Sequence, residues 1–102
     1  MKKLIFWVSL LFFCSYAESK SLNEVRTVSR IFSEAGNTAG FYTVEGLADC
    51  KWQIMRIDLA TEAGRAMFSQ VLTAKSAGFK IVRIDYSISA DGTCKALGLH
   101  IE

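Results

Sequence analysis

The chain has 102 residues, with 12 Lys+Arg, 10 Asp+Glu, one His, three Cys and no Pro, which is material for one small domain and too little for two. Hydrophobic residues make up 51% and charged residues 22%, so the chain is too apolar to be disordered.

Much of the apolar excess stands at the front. Met1, Lys2 and Lys3 make a basic start, Leu4 to Phe13 is apolar apart from Ser9, and Ser15-Tyr16-Ala17 ends in a small residue. This pattern predicts a secretory signal peptide over residues 1–17, cleaved near Ala17. A membrane anchor would need about 20 apolar residues, and Glu18, Lys20 and Asn23 come too early for that. A rival reading makes Cys14 a lipid-modified N-terminus, but Phe12 and Phe13 precede it where that modification needs a small residue. The mature chain is therefore expected to be residues 18–102, a single domain, periplasmic or secreted, without a membrane anchor.

Removing Lys2 and Lys3 leaves ten basic residues against ten acidic ones, so the mature domain is formally neutral. Its cations are scattered, several beside an acid, as in Glu24-Arg26, Asp49-Lys51, Arg56-Asp58 and Arg83-Asp85. Binding to a polyphosphate chain relies on clustered cations that release counterions. Nucleic acid and anionic membrane surfaces are accordingly not expected partners.

In the mature chain only Cys50 and Cys94 remain, and an even pair in a small exported domain predicts a disulfide. Closing a loop over 44 positions stabilises by at most about 4 kcal/mol in the chain-entropy account. A metal site would need further ligands, and the sequence offers only His100 and scattered carboxylates.

In chain order, Leu22 to Ser33 is rich in β-branched residues but irregular in spacing, which predicts a first strand with a bulge near Val28. Glu34 to Gly40, with two Gly and an Asn, reads as a turn into a second strand, Phe41 to Glu45, closed by Gly46. Cys50 opens a third strand, Lys51 to Asp58, with both faces partly covered. The period then changes. Thr61 is a good N-cap, Glu62 puts negative charge in the first turn and Gly78 suits a left-handed C-terminal residue. Between them Ala63, Ala66, Met67, Phe68, Val71, Leu72 and Ala74 form a broad apolar arc. Phe79 to Ser87 alternates as a fourth strand, with Lys80, Val82, Ile84 and Tyr86 expected inward. Asp91-Gly92 marks a turn into a fifth strand, in which Leu97, Leu99 and Ile101 share a face. The order β-β-β-α-β-β, in a mainly β, α+β domain with one disulfide, is that of a small five-stranded OB-like barrel with its helix between strands 3 and 4.

Enzyme chemistry finds little support. A hydrolytic triad needs a base, and the only His, His100, lies two residues from the end of the chain, opposite Leu99 and Ile101 on a strand. Asp49, Asp58, Asp85 and Asp91 fall at strand ends and turns, where carboxylates cap and solvate. Gly36 and Gly40 lack the Lys-Ser/Thr of a phosphate loop. No catalytic residue, cofactor or metal is therefore expected, and surface recognition remains. Tyr42, Trp52 and Tyr86 are the candidate ligand-binding residues, because aromatic side chains on strands are common anchors.

The run from Asp58 to Val82, in which Ala74-Lys75-Ser76-Ala77-Gly78 ends the helix before a strand, together with the cysteine pair that brackets it, resembles a group of small exported bacterial proteins. These are similar to the OB-fold B subunits of subtilase-type and pertussis-like toxins. The resemblance implies a five-membered ring, a glycan ligand and a helix lining a central pore, and it carries over no sugar-contacting residue. A ring would leave apolar surface on each subunit, with Phe41, Phe68 and Phe79 the residues to inspect. The expected function is an exported, non-enzymatic binding module, a glycan-binding, ring-forming protein like those B subunits. The alternative is a periplasmic inhibitor or immunity-type protein with one protein partner.

Overall fold

A computed structural model describes residues 18–102; the expected signal segment 1–17, with Cys14, lies outside the described residues. The chain forms six strands and one helix: β1 (Glu18–Leu22), β2 (Val28–Glu34), β3 (Thr38–Thr43), β4 (Met55–Asp58), α1 (Glu62–Ala77), β5 (Ile81–Ile88) and β6 (Cys94–Ile101). This is a small α+β domain with one sheet and the Cys50–Cys94 disulfide in place. The strand count is six where five were expected, so the helix follows β4. The difference lies at the front: the predicted first strand, Leu22 to Ser33, forms only from Val28 as β2, and an unpredicted strand, β1, precedes it over Glu18–Leu22. The polar sequence of β1, Glu18-Ser-Lys-Ser-Leu22, shows no alternation, because β1 is exposed along nearly its whole length.

The sheet runs β1-β5-β6-β4-β3-β2, with β4 and β6 parallel and every other pair antiparallel. Its two edge strands are consecutive in the chain. Arg26 exchanges backbone hydrogen bonds with Ile81 on β5, and Val28 is already opposite Thr43 on β3. Two residues span about 7 Å, whereas the edge positions beside β5 and beside β3 that Arg26 and Val28 occupy would stand about 24 Å apart in a flat sheet, five strand spacings. The sheet must therefore curl until its edges meet.

Three irregularities adjust which side chains enter the curl. The register shifts between Val28 and Arg30, where the sequence predicted a bulge. A second shift between Ile81 and Arg83 brings Ile81, Ile84 and Tyr86 all inward, although strict alternation would put Ile81 outside. A third shift, opposite Asp85 and Tyr86, leaves Leu97 as the extra residue on β6 and turns it out, 52% exposed, while Leu99 stays buried. Leu97, Leu99 and Ile101 thus do not share a face. A bulge exchanges the two faces of a strand, and a strictly alternating pattern does not announce it.

The helix keeps its predicted ends. Thr61 Oγ1 accepts the Gly64 N–H at 2.9 Å, and Gly78 takes φ 80° with its N–H on the Ala74 carbonyl. The buried stripe is narrower than the predicted arc: Gly64, Met67, Val71 and Ala74 are buried, Phe68 is half-buried, and Ala63, Ala66 and Leu72 are exposed. Met67, Val71 and Ala74 meet Phe41, Met55, Ile57, Ile81, Ile84 and Leu99 in one core. Among the described residues no helix is long and apolar enough to cross a membrane.

Carboxylates clasp the loops. Glu45 accepts the Thr27 N–H at 2.7 Å and the Thr27 hydroxyl at 2.8 Å, and the backbone bond in particular lowers its pKa. Asp91 accepts from Ser89 Oγ at 2.6 Å and from the Thr93 N–H at 3.0 Å, which holds it well below the usual carboxylate range. Asp85 accepts from Ser21 Oγ and Arg83 and is also lowered. A depressed folded-state pKa contributes stability above the unfolded value, which is lost as pH falls toward the folded one. The melting temperature is therefore expected to fall below about pH 5. Calorimetry on Asp91→Ala should show a shallower fall, and an equal slope would remove Asp91 from this account.

Candidate functional site

The curl gives the outer face of β2, β3 and β4 a defined set of side chains. Residues directly opposite across a ladder share a face. Phe32 on β2 is opposite Gly40 on β3, Gly40 is opposite Arg56 on β4, and Arg56 is opposite Lys95 on β6. Arg30 is opposite Tyr42. Inward-facing Ala39, Phe41, Thr43, Met55 and Ile57 alternate with them and are buried.

Gly40 is the hinge of this face. A Cβ there would stand 2.7 Å from Phe32 Cζ and 2.6 Å from the Met55 carbonyl. Only a hydrogen leaves room for the Phe32 ring to lie across β3 toward Arg56. Phe32 and Tyr42 then pack as a tilted pair, centroids 6.2 Å apart, with Arg30 4.9 Å over the Tyr42 ring and Arg56 6.0 Å over the Phe32 ring.

The wall of the face is a correction to the sequence reading. Residues 51–53, expected in a strand, form a single 3₁₀ turn in which Trp52 and Gln53 both take φ 57°. The turn is bound at several points: Cys50 is covalently joined to Cys94, the Lys51 N–H donates to the Gly92 carbonyl at 2.8 Å, and the Gln53 N–H donates to the Cys50 carbonyl at 2.9 Å. These ties compete with extension into β4 and prevail. Trp52 is left 68% exposed, with the Lys51 ammonium 4.7 Å from its ring centroid.

Together Arg30, Phe32, Glu34, Tyr42, Trp52, Ile54 and Arg56 line a groove of about 310 Å³. Ile54 is buried. Among the described residues no carboxylate comes within ion-pair distance of Arg30 or Arg56, although the cations Lys20, Arg26, Lys51 and Arg83 each have one. Guanidinium groups stacked on aromatic rings retain their in-plane N–H donors for a carboxylate, sulfate or phosphate.

Of the predicted binding residues, the structure brings Tyr42 and Trp52 into this groove and places Tyr86 elsewhere. Tyr86 is 5% exposed in the core and lines a separate cavity of about 210 Å³ with Arg26, Leu47, Asp49 and Cys50. Burial raises its phenol pKa above the ordinary value. His100 is exposed on β6 and outside the groove. Sequence reasoning missed Arg30, Phe32 and Arg56. The period-two spacing of Arg30, Phe32 and Glu34 was the available signal, and the bulge at Val28 obscured it.

No family model, curated protein or solved structure matches the chain.

Proposed function

We propose that the protein is an exported, non-enzymatic binding module built as an OB-like barrel, and that the groove on β2, β3 and β4 takes an acidic carbohydrate. The strand order, the parallel β4–β6 pair and the Arg26–Ile81 bridge support the barrel. The strand face used here is one on which such barrels bind oligosaccharides and oligonucleotides. The observation that carries the ligand class is the pair of stacked guanidinium groups without carboxylate partners, set among Phe32, Tyr42 and exposed Trp52. Aromatic faces suit the C–H faces of a sugar ring, and the arginines suit its acid group. Glu34 in the same groove, with Asp58 at the end of β4, makes a poor track for a polyphosphate chain.

The test is calorimetric titration with oligogalacturonate, sialyllactose and a heparin-derived hexasaccharide, beside neutral lactose. At least one acidic sugar is expected to bind, with Trp52→Ala and Arg56→Ala each weakening it at least tenfold. Gly40→Ala is expected to weaken it similarly by displacing Phe32, while Lys75→Ala, at an exposed helix position outside the groove, leaves it unchanged. Binding of none of the three, or equal binding by the Trp52 and Arg56 variants, would sink the proposal.

Ring assembly belongs to the same proposal. Phe41 is buried, Phe68 is half-buried and Phe79 is 44% exposed, so of the three only Phe79, with Leu72 on the helix, supports a surface for a neighbouring copy. Light scattering on the oxidised protein decides between the rivals. A pentamer supports the toxin-B-like assembly, and a monomer directs the search to one protein partner.

A further inference from the structure

We infer that the Cys50–Cys94 disulfide is a redox latch on the groove, holding Trp52 as its wall only while it is oxidised. The inference rests on the groove being the binding site. Two consecutive non-glycine residues, Trp52 and Gln53, sit in the left-handed region. Such strained conformations persist only where the surroundings over-determine them. Here the covalent constraint is Cys50, the residue that opens the turn, bonded to Cys94 at the first position of β6. The other ties are the Lys51–Gly92 backbone hydrogen bond, the short-range backbone bonds that the Cys50, Gln53 and Ile54 N–H groups donate to Leu47, Cys50 and Lys51, and a 4.0 Å Lys51–Asp91 contact between half-exposed side chains. Exposed pairs of that kind contribute little. The sheet that carries Arg30, Phe32, Tyr42 and Arg56 is held by its own ladders. Opening the disulfide therefore frees Trp52 and Gln53 to return to extended conformations, which removes the wall and leaves the floor.

A route for the chemistry exists. Cys94 is 0% exposed, and Cys50, itself 7% exposed, lines the open cavity that Tyr86 and Asp49 also line. A thiolate of an external dithiol attacks Cys50 Sγ, forming a mixed disulfide and expelling the Cys94 thiolate, which takes up a proton. The second thiol of the reagent closes its own disulfide and releases Cys50 as a thiol. Two electrons and two protons pass from the dithiol to the protein, which is reduced as the reagent is oxidised.

The experiment compares the oxidised protein with the same protein treated with dithiothreitol, following far-UV circular dichroism, the Trp52 indole N–H resonance (assigned by its loss in Trp52→Phe) and affinity for the three acidic sugars above. The expected result is an unchanged fold, a shifted Trp52 resonance and at least tenfold weaker binding. In Cys50→Ala/Cys94→Ala, adding Gln53→Asn should recover at least threefold in affinity, because Asn accepts the left-handed conformation. Equal affinity in both redox states overturns the latch and leaves the groove standing. If the oxidised protein binds none of the sugars, the groove reading fails by itself, and an unmoved Trp52 resonance then overturns the latch independently. Loss of the whole fold on reduction also overturns it, since the disulfide would then be a staple for the domain.

Discussion

Phe41→Ala is expected to lower the unfolding free energy by about 3–5 kcal/mol, in the range for a large aromatic removed from a closed core. Phe41 is 0% exposed on β3, opposite Ile31 and Met55, and packs where the helix stripe of Met67, Val71 and Ala74 meets the sheet. The strands around it are tied by ladders on both sides, so they cannot collapse into the space the ring leaves. A domain of this size has a total stability of roughly 4–13 kcal/mol, so the variant should be partly unfolded at moderate urea. Urea titration should show a lower midpoint with an unchanged slope. Phe79→Ala, at a position 44% exposed, should cost under about 1 kcal/mol. A loss below about 1.5 kcal/mol for Phe41→Ala would mean that β3 is not central to the core.

Gly64→Ala is expected to destabilise by about 1–3 kcal/mol net, against the sign of helix propensity, which favours Ala over Gly by about 1 kcal/mol. A Cβ at Gly64 would stand 1.8 Å from the Asp58 carbonyl oxygen and 2.8 Å from its carbon. Both atoms are backbone at the end of β4, so no side chain can swing away. It would also stand 2.9 Å from Thr61 Oγ1, the group that caps the helix through the Gly64 N–H. The first turn of α1 must then lift from β4, which weakens a cap worth about 1 kcal/mol and adds packing strain of about 1–3 kcal/mol. Thermal unfolding of Gly64→Ala beside Ala63→Gly tests this. Stabilisation by Gly64→Ala would show that the helix start is not seated against Asp58.

Much of this architecture is written locally. Thr61 and Gly78 mark the ends of α1 because capping needs only a side chain and a backbone conformation within one turn. Asp91-Gly92 reverses the chain because Gly92 takes φ 91° without cost. The turn after β2 is shorter than its sequence suggested. Gly36 and Asn37, both left-handed, suffice to reverse it, so Thr38 to Gly40 join β3 and the strand spans Thr38–Thr43 instead of Phe41 to Glu45. The turn is thereby only Ala35 to Asn37, three residues, and this is what places Gly40 under Phe32.

The mixed α+β class, the helix and both its ends, the Cys50–Cys94 pair and the bulge near Val28 were legible in the chain, because each follows from composition or from near neighbours, whereas the inward set expected of β5 failed at its start, where Lys80 is exposed and Ile81 buried. The tertiary structure alone decided that β1 exists as an edge on β5, that Leu97 turns outward, that residues 51–53 leave the strand, and that Arg30, Phe32, Tyr42, Trp52 and Arg56 meet in one groove. These features depend on which strands pair and where their registers slip. Such pairings join residues distant in sequence, and no local pattern encodes them.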